Sequence, residues 1–215
     1  MKLLNFNKVL CLSPHPDDVE YSMSGTILKC CDTKFDILCL TQGGDCDETS
    51  EPARLEETKR CWEKMLATTS SPNWNLFFTE WKFLKELGED QWINYIETNF
   101  TNKIDYDCII TPPQRDSHFE HRAVAAFGPA LIRRSASSLI NYNSPSALQS
   151  WVPNIFIDIS DFYETKMRLL EGFVSQSSRA FFSPSTLRAF HSNFQWSKKG
   201  LHYVEQFKLI EMISK

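Results

Sequence analysis

Several things are scarce in this 215-residue chain, and each scarcity removes a class of protein. No apolar run approaches the roughly 20 residues that a membrane-spanning helix requires; the longest are short segments such as Val9–Leu12. Basic charge is not in excess. With 23 Lys and Arg against 27 Asp and Glu, the net charge is −4 and no basic stripe emerges along the chain, so nucleic acid is not an expected partner. The seven cysteines are odd in number, lack CxxC spacing and sit mostly inside apolar segments, which favours free core thiols over disulfides or ligands. Repeats, long linkers and low-complexity tracts are also missing, so a single domain over residues 1–215 is the simplest organisation. After Met1-Lys2-Leu3-Leu4, the polar Asn5, Asn7 and Lys8 break any secretory h-region. A cytoplasmic location is the expectation.

What is present is alternation. Short apolar runs at Lys8–Ser13, Phe35–Thr41, Asn75–Thr79, Asp107–Thr111 and Asn154–Ser160 read as strands. Between them, Val19, Met23, Ile27, Leu28 and Cys31 recur at helical spacing, as do Leu55, Trp62, Met65 and Leu66, then Trp92, Ile93, Ile96 and Phe100. Strand–helix alternation predicts a doubly wound, Rossmann-like α/β fold: a mostly parallel sheet with helices on both faces and strand order 3-2-1-4-5. A helix is expected over Asp161–Ser175 and a final strand near Val204–Ile210.

Three of the five histidines lie in two loops. The first, Ser13-Pro14-His15-Pro16-Asp17-Asp18, leaves the first strand and enters a helix. The second, Asp116-Ser117-His118-Phe119-Glu120-His121, does the same after the fourth strand. An ordinary helix N-cap accounts for Asp17 or Asp18 alone. Two such loops together need more, because in a 3-2-1-4-5 sheet strands one and four are neighbours and their carboxyl ends open the ligand crevice. Two imidazoles and a carboxylate with open positions suit a catalytic zinc. The same donor types describe a non-haem iron(II) facial triad, for which His15, Asp17 and a distant His would serve.

These residues resemble a known family. Pro14-His15-Pro16-Asp17-Asp18 with Ser24-Gly25-Thr26-Ile27, and Asp116-x-His118-x-Glu120-His121, are similar to the PIG-L/LmbE-like zinc deacetylases of N-acetylglucosamine conjugates. The likeness extends to Thr41-Gln42-Gly43-Gly44, Arg54-x-x-Glu57, Phe156-Ile157-Asp158-Ile159-Ser160, Lys166, Ser175-Gln176 and Glu205-Gln206-Phe207. Two positions depart from the family pattern: Glu120 stands where Asp is usual, and Val19 where Glu is usual.

The resemblance implies one zinc ion per chain held by His15, Asp18 and His121, with Asp17 as general base and His118 as the acid that stabilises the oxyanion. It makes Arg54 a substrate-binding residue, against the plain reading of an i,i+3 pair with Glu57. Asp116 and Glu120 are expected to orient or charge-stabilise the imidazoles. Gly43-Gly44 reads as a turn, and Asp45, Asp47 and Glu48 as solvated charges. His191 and His202 read as packing or surface residues. The implied substrate is a small amino-sugar conjugate whose aglycone is chosen by Ser137–Ser150 and Gln176–Asn193, with aromatics of Trp74–Trp92 or Phe181–Phe194 available to stack on sugar. Homo-oligomerisation is compatible with all of this. The rival of a different class is a catalytically silent sugar-binding relative, suggested by Glu120 and Val19.

Overall fold

In the computed structural model, residues 1–43, 51–66, 71–193 and 202–212 are described. Five strands, β1 (Lys8–Ser13), β2 (Lys34–Cys39), β3 (Trp74–Phe78), β4 (Cys108–Thr111) and β5 (Ser138–Tyr142), run parallel. The helices between them are α1 (Asp18–Lys29), α2 (Glu51–Leu66), α3 (Glu89–Ile96) and α4 (Phe119–Ser135). Beyond β5 come β6 (Ile155–Asp158), α5 (Tyr163–Leu170), α6 (Pro184–His191), the two-residue β7 (Ser192–Asn193) and the long β8 (His202–Met212). The strand order is β3-β2-β1-β4-β5-β8-β6, and β8 is antiparallel to both of its main neighbours.

β1 shows why helices cover both faces. Its Val9 and Cys11 join an apolar cluster with Val19, Met23 and Ile27 of α1 and Trp62 and Met65 of α2. Its Leu10 and Leu12 join a second cluster with Trp92 and Ile96 of α3 and Val124, Phe127 and Leu131 of α4. Alternate residues of a strand point to opposite faces, so a fully apolar strand must be covered twice. α1 and α4, which follow the adjacent β1 and β4, therefore leave the sheet in opposite directions, and the crevice opens between their N-termini.

Three expectations need correction. The fifth parallel strand is Ser138–Tyr142, inside the segment read as a substrate-selecting loop, while Asn154–Ser160 supplies only the antiparallel edge strand β6. Ser138 and Asn141 made β5 look like loop. Both are buried, and Asn141 Nδ2 donates to Thr111 Oγ1 across the sheet at 2.8 Å. The helix expected over Asp161–Ser175 is α-helical only as α5, between short 3₁₀ turns at Ser160–Phe162 and Val174–Gln176. It stops by Gly172, where a β-carbon would lie 2.4 Å from Cys61 Sγ, so close packing on α2 sets its end. The final strand is longer than Val204–Ile210. Cys31 is exposed beyond the end of α1, whereas Cys11, Cys30, Cys39, Cys61 and Cys108 are buried free thiols. Gly44, Asp45, Cys46, Asp47 and Glu48 lie outside the described residues.

Candidate metal centre and catalytic crevice

The two histidine loops do meet. His15, His118 and His121 each offer a ring nitrogen within 4.8 Å of the others, a cluster that could hold a metal. Asp18 sits between two of them: its Oδ2 is 3.1 Å from His15 Nδ1 and its Oδ1 is 3.2 Å from His121 Nε2. The opposite nitrogen of each ring faces another carboxylate. His15 Nε2 is 2.6 Å from Glu120 Oε2, and His121 Nδ1 is 3.0 Å from Asp116 Oδ2. Carboxylates on the far nitrogens fix ring orientation and leave His15 Nδ1, His121 Nε2 and the Asp18 carboxylate converging, the usual way a protein prepares imidazoles for a metal.

Local backbone explains how adjacent aspartates acquire different surroundings. Asp17 is the N-cap of α1 with φ 106°, a left-handed conformation that costs a non-glycine residue energy. Its carboxylate turns to Arg54, which grips it from two nitrogens: Nε donates to Oδ2 at 3.0 Å, and Nη2 to Oδ1 at 2.7 Å. Asp18, one residue on, turns toward the imidazoles and accepts the His15 N–H at 2.8 Å. Glu20 supports the turn by accepting the Asp17 N–H and the Trp62 indole N–H, and burial pushes its carboxyl up to about 7. Val19, where the family usually has Glu, is fully buried in the core.

The electrostatics follow these contacts. Burial works against charge on His121, yet Asp18 and Asp116 raise its pKa to about 10. His15 is likewise raised, against burial, by Asp18 and Glu120. Burial also opposes the charge of Asp18, but His121 and His15 hold its carboxyl well below the ordinary range. Asp17 moves the other way, pushed up by burial and by the Asp18 charge against the pull of Arg54. His118 is pulled down by burial and by the charges of His15 and His121. As the N-cap of α4, it accepts the Glu120 N–H on Nδ1 at 3.3 Å, which puts the proton of the neutral ring on Nε2.

A cavity of about 100 Å³ opens over these groups and takes in Tyr21, Arg54, Ser146, Arg179 and Phe181 besides the histidines and aspartates. Both segments expected to select the aglycone reach it, through Pro145 and Ser146 and through Arg179, Phe181 and Phe182. Sequence reasoning missed Tyr21, Ser144 and Ser146. The Ser144 hydroxyl lies 3.3 Å from His121 Nδ1, and nothing local in sequence marks it. Glu57 receives the N–H and hydroxyl of Ser175. Gly43 has φ 81°, and a β-carbon there would lie 3.0 Å from Arg54 Nη1, so the turn needs glycine both for its backbone and for the guanidinium. His191 is a buried packing residue and His202 pairs with Asp158; neither joins the cluster.

Arg54→Ala is expected to lower stability by about 3 kcal/mol, because it strips the partner from a buried carboxylate, and to lower kcat/KM. Arg54→Lys keeps charge without the fork and should fall between. Thermal melts with steady-state kinetics check this; a variant with a lower Tm and parental kcat/KM reduces Arg54 to a structural ion pair.

Fold and site together define a class: α/β proteins with a histidine–carboxylate, metal-binding crevice at the carboxyl ends of parallel strands. Within that class, the chain belongs to the PIG-L: GlcNAc-PI de-N-acetylase family, whose signature matches residues 10–132. It is 29% identical over 194 residues, 79% of this chain and 70% of the relative, to a diacetylchitobiose deacetylase of Thermococcus kodakarensis. The structure of N,N'-diacetylchitobiose deacetylase from Pyrococcus horikoshii superimposes with TM-score 0.70 and 23% identity, covering 97% of this chain and 85% of that one. A 4-carboxy-2-hydroxymuconate hydratase from Pseudomonas putida KT2440 shares the fold with TM-score 0.73 and 12% identity, over 100% of this chain and 98% of that one. The fold thus carries more than one reaction, and the reaction must be argued from the site.

Proposed function

We propose that this chain is a zinc-dependent hydrolase that removes the N-acetyl group from a 2-acetamido sugar conjugate of N-acetylglucosamine type, releasing acetate and a free amine. The observation that carries the reading is the division of labour around the crevice. Three donors, from His15, Asp18 and His121, converge with their far nitrogens braced, while Asp17 and His118 stand beside them with proton-handling atoms of their own. Two imidazoles and one carboxylate suit a catalytic zinc with open positions. When bound, zinc supplies Lewis-acid polarisation to the acetamide carbonyl and to water.

The remaining work falls to side chains. Asp17, buried and raised in pKa, takes a proton from the attacking water as its oxygen bonds to the carbonyl carbon. Arg54 holds that carboxylate in one orientation. The Nε2–H of His118 donates to the developing oxyanion. As the C–N bond breaks, the leaving nitrogen takes up the proton that Asp17 removed, and acetate departs. Phe181, half-buried at the cavity wall, offers aromatic surface for a sugar ring.

The test is metal analysis of purified protein with an amine-release assay over a panel of N-acetylglucosamine conjugates, diacetylchitobiose among them. Zinc with amine release is expected. Zinc without turnover across the panel makes the chain a sugar-binding relative, and iron with oxygen consumption makes it an oxygenase. Glu120 gives a narrower test, since its length lets one carboxylate span His15 Nε2 and the Leu84 N–H, the latter at 2.9 Å. Glu120→Asp, one methylene shorter, should keep measurable activity while zinc affinity falls by roughly 10–100-fold, the usual cost of disturbing a carboxylate behind a ligand. Chelator competition measures it; unchanged affinity removes Glu120 from the metal site.

A further inference from the structure

Residues 166 and 205 lie beyond the stretch matched by the family signature, on α5 and β8, yet they reach into α1. The Lys166 and Glu205 side chains are completely buried and 2.5 Å apart. Glu205 Oε1 accepts the Gly25 N–H at 2.9 Å, and Oε2 accepts the Thr26 N–H at 2.6 Å. Lys166 Nζ donates to the Tyr21 carbonyl at 2.6 Å. An α-helix normally closes the N–H of Gly25 onto the carbonyl of Tyr21, four residues before it. Here an ion pair presents a carboxylate to that N–H and an ammonium to that carbonyl. Gly25 also admits the neighbouring chain closely, since a β-carbon there would lie 2.8 Å from Ile159 Cδ1.

The consequence runs toward the N-terminus of α1. The Tyr21 N–H donates to the Asp17 carbonyl at 2.7 Å, and the Tyr21 hydroxyl donates to the Phe181 carbonyl at 3.0 Å. The residue whose carbonyl Lys166 grips is thus the one that closes the first turn over Asp17. Asp17 is held at φ 106°, and such a conformation persists only where its surroundings over-determine it. Replacing a buried ion pair by apolar groups is often neutral or stabilising, so stability alone is a poor reason for this one.

We infer that Lys166 and Glu205 are positioning residues, a buried ion pair set into α1 that holds its first turn in register and so keeps Asp17 and Asp18 where the metal centre needs them. With the pair removed, Asp17 relaxes from its left-handed conformation, and Asp18 moves away from His15 and His121. The inference rests on the metal-site reading above and extends it to the C-terminal third of the chain.

The experiment measures zinc affinity of the full chain by chelator competition, at a temperature where circular dichroism shows each variant folded. Lys166→Met, Glu205→Gln and the double variant are compared with the parent. The double variant leaves no unpaired buried charge, so it is the one that folds if the single variants do not. Asn73→Ala is the control, because Asn73 holds the other end of α1 through the carbonyls of Ile27 and Cys30. The expected result is zinc affinity weakened about tenfold or more in the pair variants, a size typical of groups that orient ligands, with Asn73→Ala within about twofold of the parent on the same scale. Pair variants that lose Tm but keep parental zinc affinity overturn the inference. So does an Asn73→Ala chain that loses as much affinity as they do, since any loosening of the helix would then suffice. A parent that binds no zinc fails the metal-site reading and takes this inference with it; a parent that binds zinc beside unaltered variants fails this inference alone.

Discussion

Asp17→Asn is expected to fold, keep its zinc and lose turnover by about 10²–10⁴-fold, the usual worth of a general base. Asparagine suits the position sterically: it is nearly isosteric, and it tolerates the left-handed backbone that Asp17 adopts better than most residues. Its amide oxygen still accepts one hydrogen bond from Arg54, so the fork weakens without collapsing. What disappears is a basic oxygen whose proton affinity burial and Asp18 have raised. The measurement pairs zinc per chain by elemental analysis with initial rates on one N-acetylated substrate. If the variant is metal-free, or zinc-loaded and nearly as fast as the parent, the proton goes elsewhere and the division between the two aspartates is wrong.

Asp18→Ala is expected to lose most of its zinc, and all measurable activity with it. Among the described residues Asp18 is the one carboxylate that contacts both His15 and His121, so its removal takes away a donor and the charge that stands against two buried rings. A ligand present at 100 times its Kd adds about 2.7 kcal/mol to the native state. Added zinc should therefore raise the parent's Tm and leave that of Asp18→Ala where it is. The histidines sharpen the point, because all three ring systems are close enough to share an ion. His121→Ala should behave as Asp18→Ala does, whereas His118→Ala should keep zinc and lose rate. Zinc retained by His121→Ala and lost by His118→Ala would reverse the roles within the second loop.

Both experiments turn on pairings of different legibility. The two histidine loops could be found in the chain because each directly follows an apolar strand and precedes a helical repeat, signals contained within about 20 residues. The fold followed from the same periodicity. β5 escaped because Ser138 and Asn141 are polar residues in a buried strand; Asn141 is satisfied by Thr111 across the sheet, and a local pattern cannot show such a partner. Asp116 and Glu120 were legible as braces for the imidazoles, but not which ring each meets, since His15 and Glu120 are 105 residues apart; the fork of Arg54 on Asp17, 37 residues away, escaped for the same reason.

By itself, then, the sequence determined which chemical groups enter the crevice: three imidazoles, the paired aspartates, and flanking carboxylates at the ends of adjacent parallel strands. Hydrophobic periodicity and strand-order rules suffice for that, since both act through local pattern and a small set of permitted topologies. Tertiary structure alone decided which partner each group has. It gave Asp116 to His121 and Glu120 to His15, forked Asp17 with Arg54, brought Ser146 and Arg179 to the cavity and the Ser144 hydroxyl to His121, and set Lys166 and Glu205 against α1. Hydrogen bonds and ion pairs act over a few ångströms, so a choice among several carboxylates of equal charge is made only when packing has brought one of them within reach.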